Sequence, residues 1–360
     1  MPETRIAPAR LCRFMALALE RLGLPAADAA TVAQLMTDAE VQGSDGHGAI
    51  RLAPYARRIR EGGYNLHPSI GVVQERPAMA LLDGDNGFGH LVMHKATQLA
   101  IEKARQCGVA WVGSRLSNHA GPASLYARMP LAHDMIGVYF AVGNANHLPP
   151  WGGLDMLLST NPVAVAVPAG EEPPVVLDMA TTVAAYGKVK AKAQRGEQMP
   201  IGWMIDRLGQ PLTDPKRADE GFLMPIGGYK GYGLALVVGL LAGTLNGAAM
   251  GKEVLDFNKD FRSTTNTGQA ILVIDVAAFG DVAAFKARVD TVVREMRSSE
   301  RMPGVDRIWL PGEQSHLRRQ QNERDGLALP PALLAQLEAL ARDLGIPGPQ
   351  ATDPPETPCA

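Results

Sequence analysis

Cysteine is scarce. The 360-residue chain has three, Cys12, Cys107 and Cys359, with no C-x-x-C spacing among them. That argues against a disulfide framework and against a thiolate metal site. An excess of one charge is also lacking: 35 lysines and arginines stand against 37 aspartates and glutamates, a formal net charge of −2. With no block of like charge, neither nucleic acid nor an anionic membrane is expected as a partner, which leaves a small molecule. The longest apolar stretch, "GLALVVGLLAGTLNGAAM", is broken by glycine and reads as a buried helix, not a membrane span. The opening "MPETRIAPARLCRFMALALERLG" lacks the apolar core and cleavage site of a signal peptide, so a cytoplasmic location is expected. Two nucleotide-binding frameworks are missing as well. "GDNGFGHLVMHKA" places Gly87 and Gly89 before a helix, but Val92 occupies the third glycine position of G-x-G-x-x-G. No P-loop is present.

What the chain does have is an alternation of helical and strand periods. Residues 8–42 read as two helices, with Pro25 near the start of the second. A third is expected after Gly43, capped by Ser44 or Asp45 and ended by Gly62 and Gly63. Strand patterns follow in "MALLDGD", "VAWVGSRL", "MIGVYFAVGN", "NPVAVAVPAG", "PVVLDMAT" and "QAILVIDVAAF". Helical patterns separate or follow them at 90–108, 123–134, 182–196, 281–299 and 331–345. Mixed strands and helices make this an α/β protein, and its length permits two domains or one large unit. Residues 346–360, rich in proline and without an apolar period, are expected to be disordered.

"SDGHGAIRLAPYAR" carries the most chemistry. It sets His47, Arg51 and Tyr55 four residues apart, which on a helix places them on one stripe. A guanidinium holds a carboxylate through two parallel hydrogen bonds. An imidazole one turn away then reaches the adjoining atom, in a 2-oxo acid the carbonyl oxygen that takes a proton as hydride arrives. The plain alternative is an exposed basic helix face continued by Arg57, Arg58 and Arg60. His119, in "SNHAGPAS", stands where a ligand-facing group or a simple N-capping loop fits equally. His90 and His94 are spaced to chelate zinc, yet no Glu or Cys nearby completes a ligand set. "GGYKGYG" gathers four glycines around Lys230 at the mouth of an apolar helix, either a pyrophosphate cradle or a tight turn with a solvated lysine. "STNP" and "LDMATT" bring short polar side chains to strand ends, where open α/β sheets bind ligands, and "WLPGE" fits either stacking and capping of the same kind or a plain turn.

Together these blocks resemble the malate/L-lactate dehydrogenase family of NAD(P)-dependent oxidoreductases, which is unrelated to the Rossmann-type lactate and malate dehydrogenases. The likeness runs in order through "HGAIRLAPYARRIREGGYNLHP", "SNHAGPASLYA", "LSTNPVAVAVPAG", "VLDMATTVAAYGKV", "MPIGWMID", "LTDP", "GGYKGYGLAL" and "LPGE". It implies a family-specific mixed-sheet α/β fold. In that fold an N-terminal helical part, residues 1–75, packs with 282–345 around a central cofactor-binding unit, 76–281. It also implies a homodimer that binds NAD or NADP, and hydride transfer to or from a small 2-oxo or 2-hydroxy acid; a cyclic imino acid such as Δ1-piperideine-2-carboxylate is the alternative. A catalytically weakened, nucleotide-binding relative is the rival from another class. By the resemblance His47 is the acid/base group and Arg51 the carboxylate ligand, while Tyr55 and His119 line the substrate pocket and His119 is itself catalytic, the proton acceptor in some members. Asp178 supports the histidine and, with Met179 and Ala180, contacts cofactor. Asn144, Thr160, Asn161, Lys230, Gly231, Pro311, Gly312 and Glu313 complete the cofactor blocks. No metal is implied. The chain departs from the family at two positions. Gly46 replaces the serine before the histidine, with Ser44 a possible substitute, and Gln269 replaces a histidine in "TGQ". Both are expected near the substrate end of the pocket.

Overall fold

The computed structural model describes residues 5–351. Its helices are α1 (Pro8–Arg21), α2 (Ala26–Val41), α3 (Leu52–Arg60), α4 (Gly89–Cys107), α5 (Ser124–Arg128), α6 (Tyr186–Arg195), α7 (Tyr229–Ala242), α8 (Val282–Ser298), α9 (Glu313–Asp325) and α10 (Pro331–Leu344). Pro8 opens α1, where a missing N–H costs nothing. Leu11, Met15 and Leu19, one helical turn apart, face inward. They share one buried cluster with Val32 and Met36 of α2, Leu52 and Tyr55 of α3, and Leu333 and Leu337 of α10. The N- and C-terminal helices therefore pack together through α10. Of the expected C-terminal partner segment, α8 lies elsewhere: Asp290 accepts N–H bonds from Gly170, Glu171 and Glu172 at 2.8–3.1 Å. Ile346, placed in the disordered tail by composition, is buried in the helical cluster and its N–H bonds Ala341 O at 3.0 Å. The remainder of that tail, 352–360, lies outside the described residues.

Seven strands form the main sheet, in the order Gly71–Arg76, Met79–Asp83, Val109–Ser117, Thr267–Asp275, Met135–Ala141, Val163–Val167 and Val175–Met179. Only Met79–Asp83 and Val109–Ser117 run parallel; every other neighbouring pair is antiparallel. Alternation along Val109–Ser117 directs successive residues to opposite faces. Ser114 Oγ meets Met93 of α4, whereas a Cβ on Gly113 would overlap Asn246 just beyond α7. Helices thus cover both faces, and polar loops gather at the strand ends.

Two local readings change. The third helix is delayed: Asp45–His47 and Ala49–Arg51 are 3-10 turns, and α3 starts at Leu52. Ser44 makes no capping hydrogen bond, and Gly48 (φ −89°, ψ −136°) interrupts the helix between the two turns. The four-residue stripe on a single helix therefore does not exist. The segment 123–134 is helical only to Arg128 and continues as a 3-10 turn containing Pro130, which cannot donate an intrahelical bond. Two further elements carry no pattern to find. Gly71–Arg76 is an edge strand exposed along nearly its whole length, and α9 is polar all round.

Candidate active site

Asn118–Gly121, the loop after the strand Val109–Ser117, carries His119 and is held from several sides. Asn118 is fully buried and its Nδ2 donates to Gly87 O at 2.9 Å and Asn86 O at 3.1 Å. Gln269 Nε2 donates to Asn118 O at 2.8 Å. Gly89 admits no side chain because a Cβ would run into Asn118 O. The departure at Gln269 thus lies in the core behind the loop, not at the substrate end of the pocket.

His47 meets His119 across this loop. His47 Nδ1 and His119 Nε2 are 3.3 Å apart, with the rings stacked at 5.3 Å and 9°. The Tyr55 hydroxyl lies 2.6 Å from His119 Nδ1, and Gly121 N–H points at the same nitrogen from 3.4 Å. Tyr55 is fully buried against Phe88, Tyr64, His90 and Phe257, so its oxygen is directed at His119. Phe257 also packs on His119, at 5.7 Å. The tertiary fold therefore joins the three sequence-selected groups in a line of side chains instead of a helix stripe. His90, once half of a zinc pair, stands behind this line at 6.4 Å from His119, and neither of its ring nitrogens has a partner among the described residues.

Electrostatics keep the histidines neutral. Burial, then Arg51, then His90 push His47 down to about 3. Burial, Arg51 and the other two histidines hold His119 well below its ordinary value. A backbone N–H aimed at His119 Nδ1 favours the form in which that nitrogen accepts. Tyr55 then donates, His119 Nε2–H donates to His47 Nδ1, and His47 carries its proton on Nε2. Reversing the Tyr55–His119 and His119–His47 bonds, and giving up the long Gly121 N–H contact, yields the second arrangement, with the His47 Nε2 lone pair open. Arg51 donates from Nε to Gly46 O at 2.7 Å, and no ion pair among the described residues engages its guanidinium. Nothing lies within 4 Å of a Cβ built on Gly46, and Ser44 makes no capping hydrogen bond. His119 is the hydrogen-bond partner that orients the His47 ring.

The remaining blocks divide into open and engaged groups. Asp178, at the end of the strand Val175–Met179, accepts Ser124 N–H at 2.9 Å, and no hydrogen bond joins it to either histidine. Met179 and Ala180 follow it, half-buried. Asn144 donates to Thr267 Oγ1 at 2.7 Å, and Thr160 O accepts Thr181 N–H at 2.9 Å. Asn161 is fully buried and spends its side chain on Gly143 N–H and Ala235 O. Glu313 is paired with Arg307 and with Arg297, and Pro311 O accepts Val176 N–H at 3.0 Å. Gly312 (φ +84°) packs against Val176 too closely for any side chain. Gly231 is likewise a packing glycine against Ile226. Lys230 is exposed in the first turn of α7, where no side chain caps the backbone N–H groups and where Gly227 and Gly228 have φ of +56° and +66°. Free amides at a helix start beside an ammonium suit a phosphate, so this turn fits a dinucleotide. The sequence patterns passed over Phe257, gave Asn118 no role beyond its place beside His119, and read Gln269 as a substrate-end change. Each acts by packing or by hydrogen bonds to distant segments, which leaves no local signal.

Residues 6–338 match the family model described as malate/L-lactate dehydrogenase. The chain belongs to that family. Membership makes it a dehydrogenase-type oxidoreductase that uses a nicotinamide cofactor. The malate dehydrogenase of Pyrococcus abyssi is 37% identical over 353 residues, covering 96% of each chain. The L-sulfolactate dehydrogenase of Methanocaldococcus jannaschii is 36% identical, covering 91% of this chain and 94% of its own. Among solved structures, malate dehydrogenase from Pyrococcus horikoshii superposes with a TM-score of 0.87 at 34% identity, over 96% of this chain and 97% of that one. Its family relatives thus share the mixed sheet from end to end.

Proposed function

We propose that the protein transfers hydride reversibly between NAD or NADP and a small 2-hydroxy or 2-oxo carboxylate. The observation that carries this reading is the line Tyr55–His119–His47, whose end feels the charge of Arg51, a guanidinium with no ion pair among the described residues. A nicotinamide held here would supply or take the hydride. Arg51 holds the carboxylate. In the oxidation direction, His47 in its second arrangement accepts the hydroxyl proton on Nε2. Its Nδ1–H donates to His119 Nε2, and His119 Nδ1–H to the Tyr55 oxygen. Reduction returns the proton from His47 Nε2 to the substrate oxygen. Lys230 and the α7 amides are read as the phosphate cradle, with Asp178, Met179 and Ala180 along the cofactor wall. Malate and sulfolactate in the relatives' names favour a second anionic group on the substrate.

The test is oxidation of NADH and of NADPH with oxaloacetate, pyruvate and Δ1-piperideine-2-carboxylate in parallel. Turnover with a keto acid is expected and names the cofactor. Turnover with the imine alone would shift the reading to imino-acid reduction, and tight cofactor binding without turnover would overturn it.

We also read the protein as a homodimer, supported by α7. Ala235, Val238, Gly239 and Ala242 bury its inner face, while Leu234, Val237 and Leu240 leave an apolar outer face exposed. A helix apolar all round belongs in an interior, and a second copy of this face supplies one. Light scattering is expected to give twice the 38.3 kDa chain mass. Val237→Glu with Leu240→Glu is expected to give the chain mass itself; a monomeric parent protein would refute the pairing.

A further inference from the structure

Glu40 is the next-to-last residue of α2, where the carbonyl end of the helix disfavours a negative charge. It is only 5% exposed, and among the described residues its carboxylate accepts one hydrogen bond, from backbone. Burial raises its carboxyl to about 7, the Ala49 hydrogen bond opposing the rise and Asp45 adding to it. An acid in such a place is costly, and an apolar residue of the same size would fill the volume without that cost. Its contacts show what it does there. Oε2 accepts Ala49 N–H at 2.8 Å, and a Cβ on Gly48 would overlap that same oxygen. Gly48 and Ala49 link the turn that ends in His47 to the turn that ends in Arg51.

The turns on either side of this link are closed by their own bonds: His47 N–H bonds Ser44 O at 2.8 Å, Arg51 N–H bonds Gly48 O at 2.9 Å, and Arg51 Nε bonds Gly46 O, while Ser44 N–H ties the loop back to Ala39 O of α2 at 2.8 Å and His47 Nδ1 lies 3.3 Å from His119 Nε2. The α2 backbone, by contrast, is anchored in the helical core through Val32, Ala33 and Met36. Glu40 is the side chain by which the anchored helix holds the link between the two turns.

We propose that Glu40 is a positioning residue for the reaction: wedged against Gly48 and Ala49, it sets the distance and angle between the His47 imidazole and the Arg51 guanidinium. This rests on the roles given to those two groups above. Glu40 itself touches neither substrate nor cofactor. Shortening it releases the loop, so the proton-handling and carboxylate-holding groups lose their mutual register while the cofactor blocks stay in place.

The experiment compares Glu40→Ala with Glu40→Gln, which keeps an acceptor for Ala49 N–H. The measurements are kcat and KM for the keto acid, NADH affinity by fluorescence, and the His47 ring signals by 15N NMR. Misplacement on the order of an ångström costs up to about 100-fold in rate, so Glu40→Ala is expected to lose about 10- to 100-fold in kcat/KM. Its NADH affinity should hold and its His47 signals should move. The glutamine variant should stay within about threefold of the parent, because the bond to Ala49 survives. Unchanged kcat and KM in Glu40→Ala overturns the proposal. So does a glutamine variant as impaired as the alanine one with NADH affinity lost in step, which is the mark of a general structural role.

Gly48→Ala approaches the same contact from the other side and serves even where Glu40→Ala folds poorly. Alone it should impair turnover by driving a methyl into Oε2. Combined with Glu40→Ala it should add no further loss, whereas additive losses would overturn the contact's role. A parent enzyme inactive on every keto acid would refute the proposed function, while the NMR comparison would still decide whether Glu40 places His47.

Discussion

Replacing His47 with alanine is expected to lower kcat by about 10²- to 10⁴-fold, the usual share of a positioned general acid or base. Cofactor affinity should survive, because the α7 turn with Lys230 lies on a different element. The parent enzyme's pH profile tests the same assignment. His47 is pushed down to about 3, so it stays neutral through the whole neutral range, where its second arrangement supplies the accepting nitrogen without a titration. Its oxidation kcat/KM should therefore show no acid limb between pH 8 and 5, where an ordinary imidazole near 6.5 would produce one. Steady-state kinetics against pH, run with the hydroxy acid and oxidised cofactor, check both points. Near-normal turnover in the alanine variant, or an acid limb centred at 6–7 that vanishes with it, would contradict the neutral-base role.

Arg51→Ala should act mainly on binding. A charge-assisted pair of hydrogen bonds to a carboxylate contributes about 1.5–3 kcal/mol, so KM for the keto acid is expected to rise about 10- to 150-fold. Arg51→Lys should recover only part of this, since an ammonium lacks the planar fork. There is a second consequence. Arg51 is the second-largest cause, after burial, of the lowered His47 value. Removing it should lift that value, and any acid limb in the variant should lie at higher pH than in the parent. Titration of a competitive carboxylate inhibitor against both variants separates affinity from turnover. Unchanged inhibitor affinity in Arg51→Ala would assign the carboxylate to another cation.

Helices with a strong apolar period were legible, and so were strands such as Val109–Ser117 and Thr267–Asp275, because burial on one face leaves a repeat in the residues themselves. The start of α3 was not. Its delay depends on Glu40 taking Ala49 N–H out of the helical ladder, a bond between residues nine apart that no spacing rule registers. Likewise α9 has no apolar face, although its Asn322 side chain bonds Val41 O and its Arg319 pairs with Asp38. The replaced histidine at Gln269 read as a substrate-end change. In the fold it is a buried amide that fastens the His119 loop.

From the sequence alone came the α/β class, the family, and the choice of His47, Arg51, Tyr55 and His119, since residue chemistry and ordered motifs are local properties. How those four meet was decided only by the tertiary structure. Tyr55 and His119 are 64 positions apart, and His47 and His119 72 apart, yet each pair is within hydrogen-bond reach. The reason is physical: the direction of a hydrogen bond, and with it the nitrogen that bears the proton, depends on which groups are brought face to face. Spacing along the chain carries no information about partners contributed by another layer of the fold.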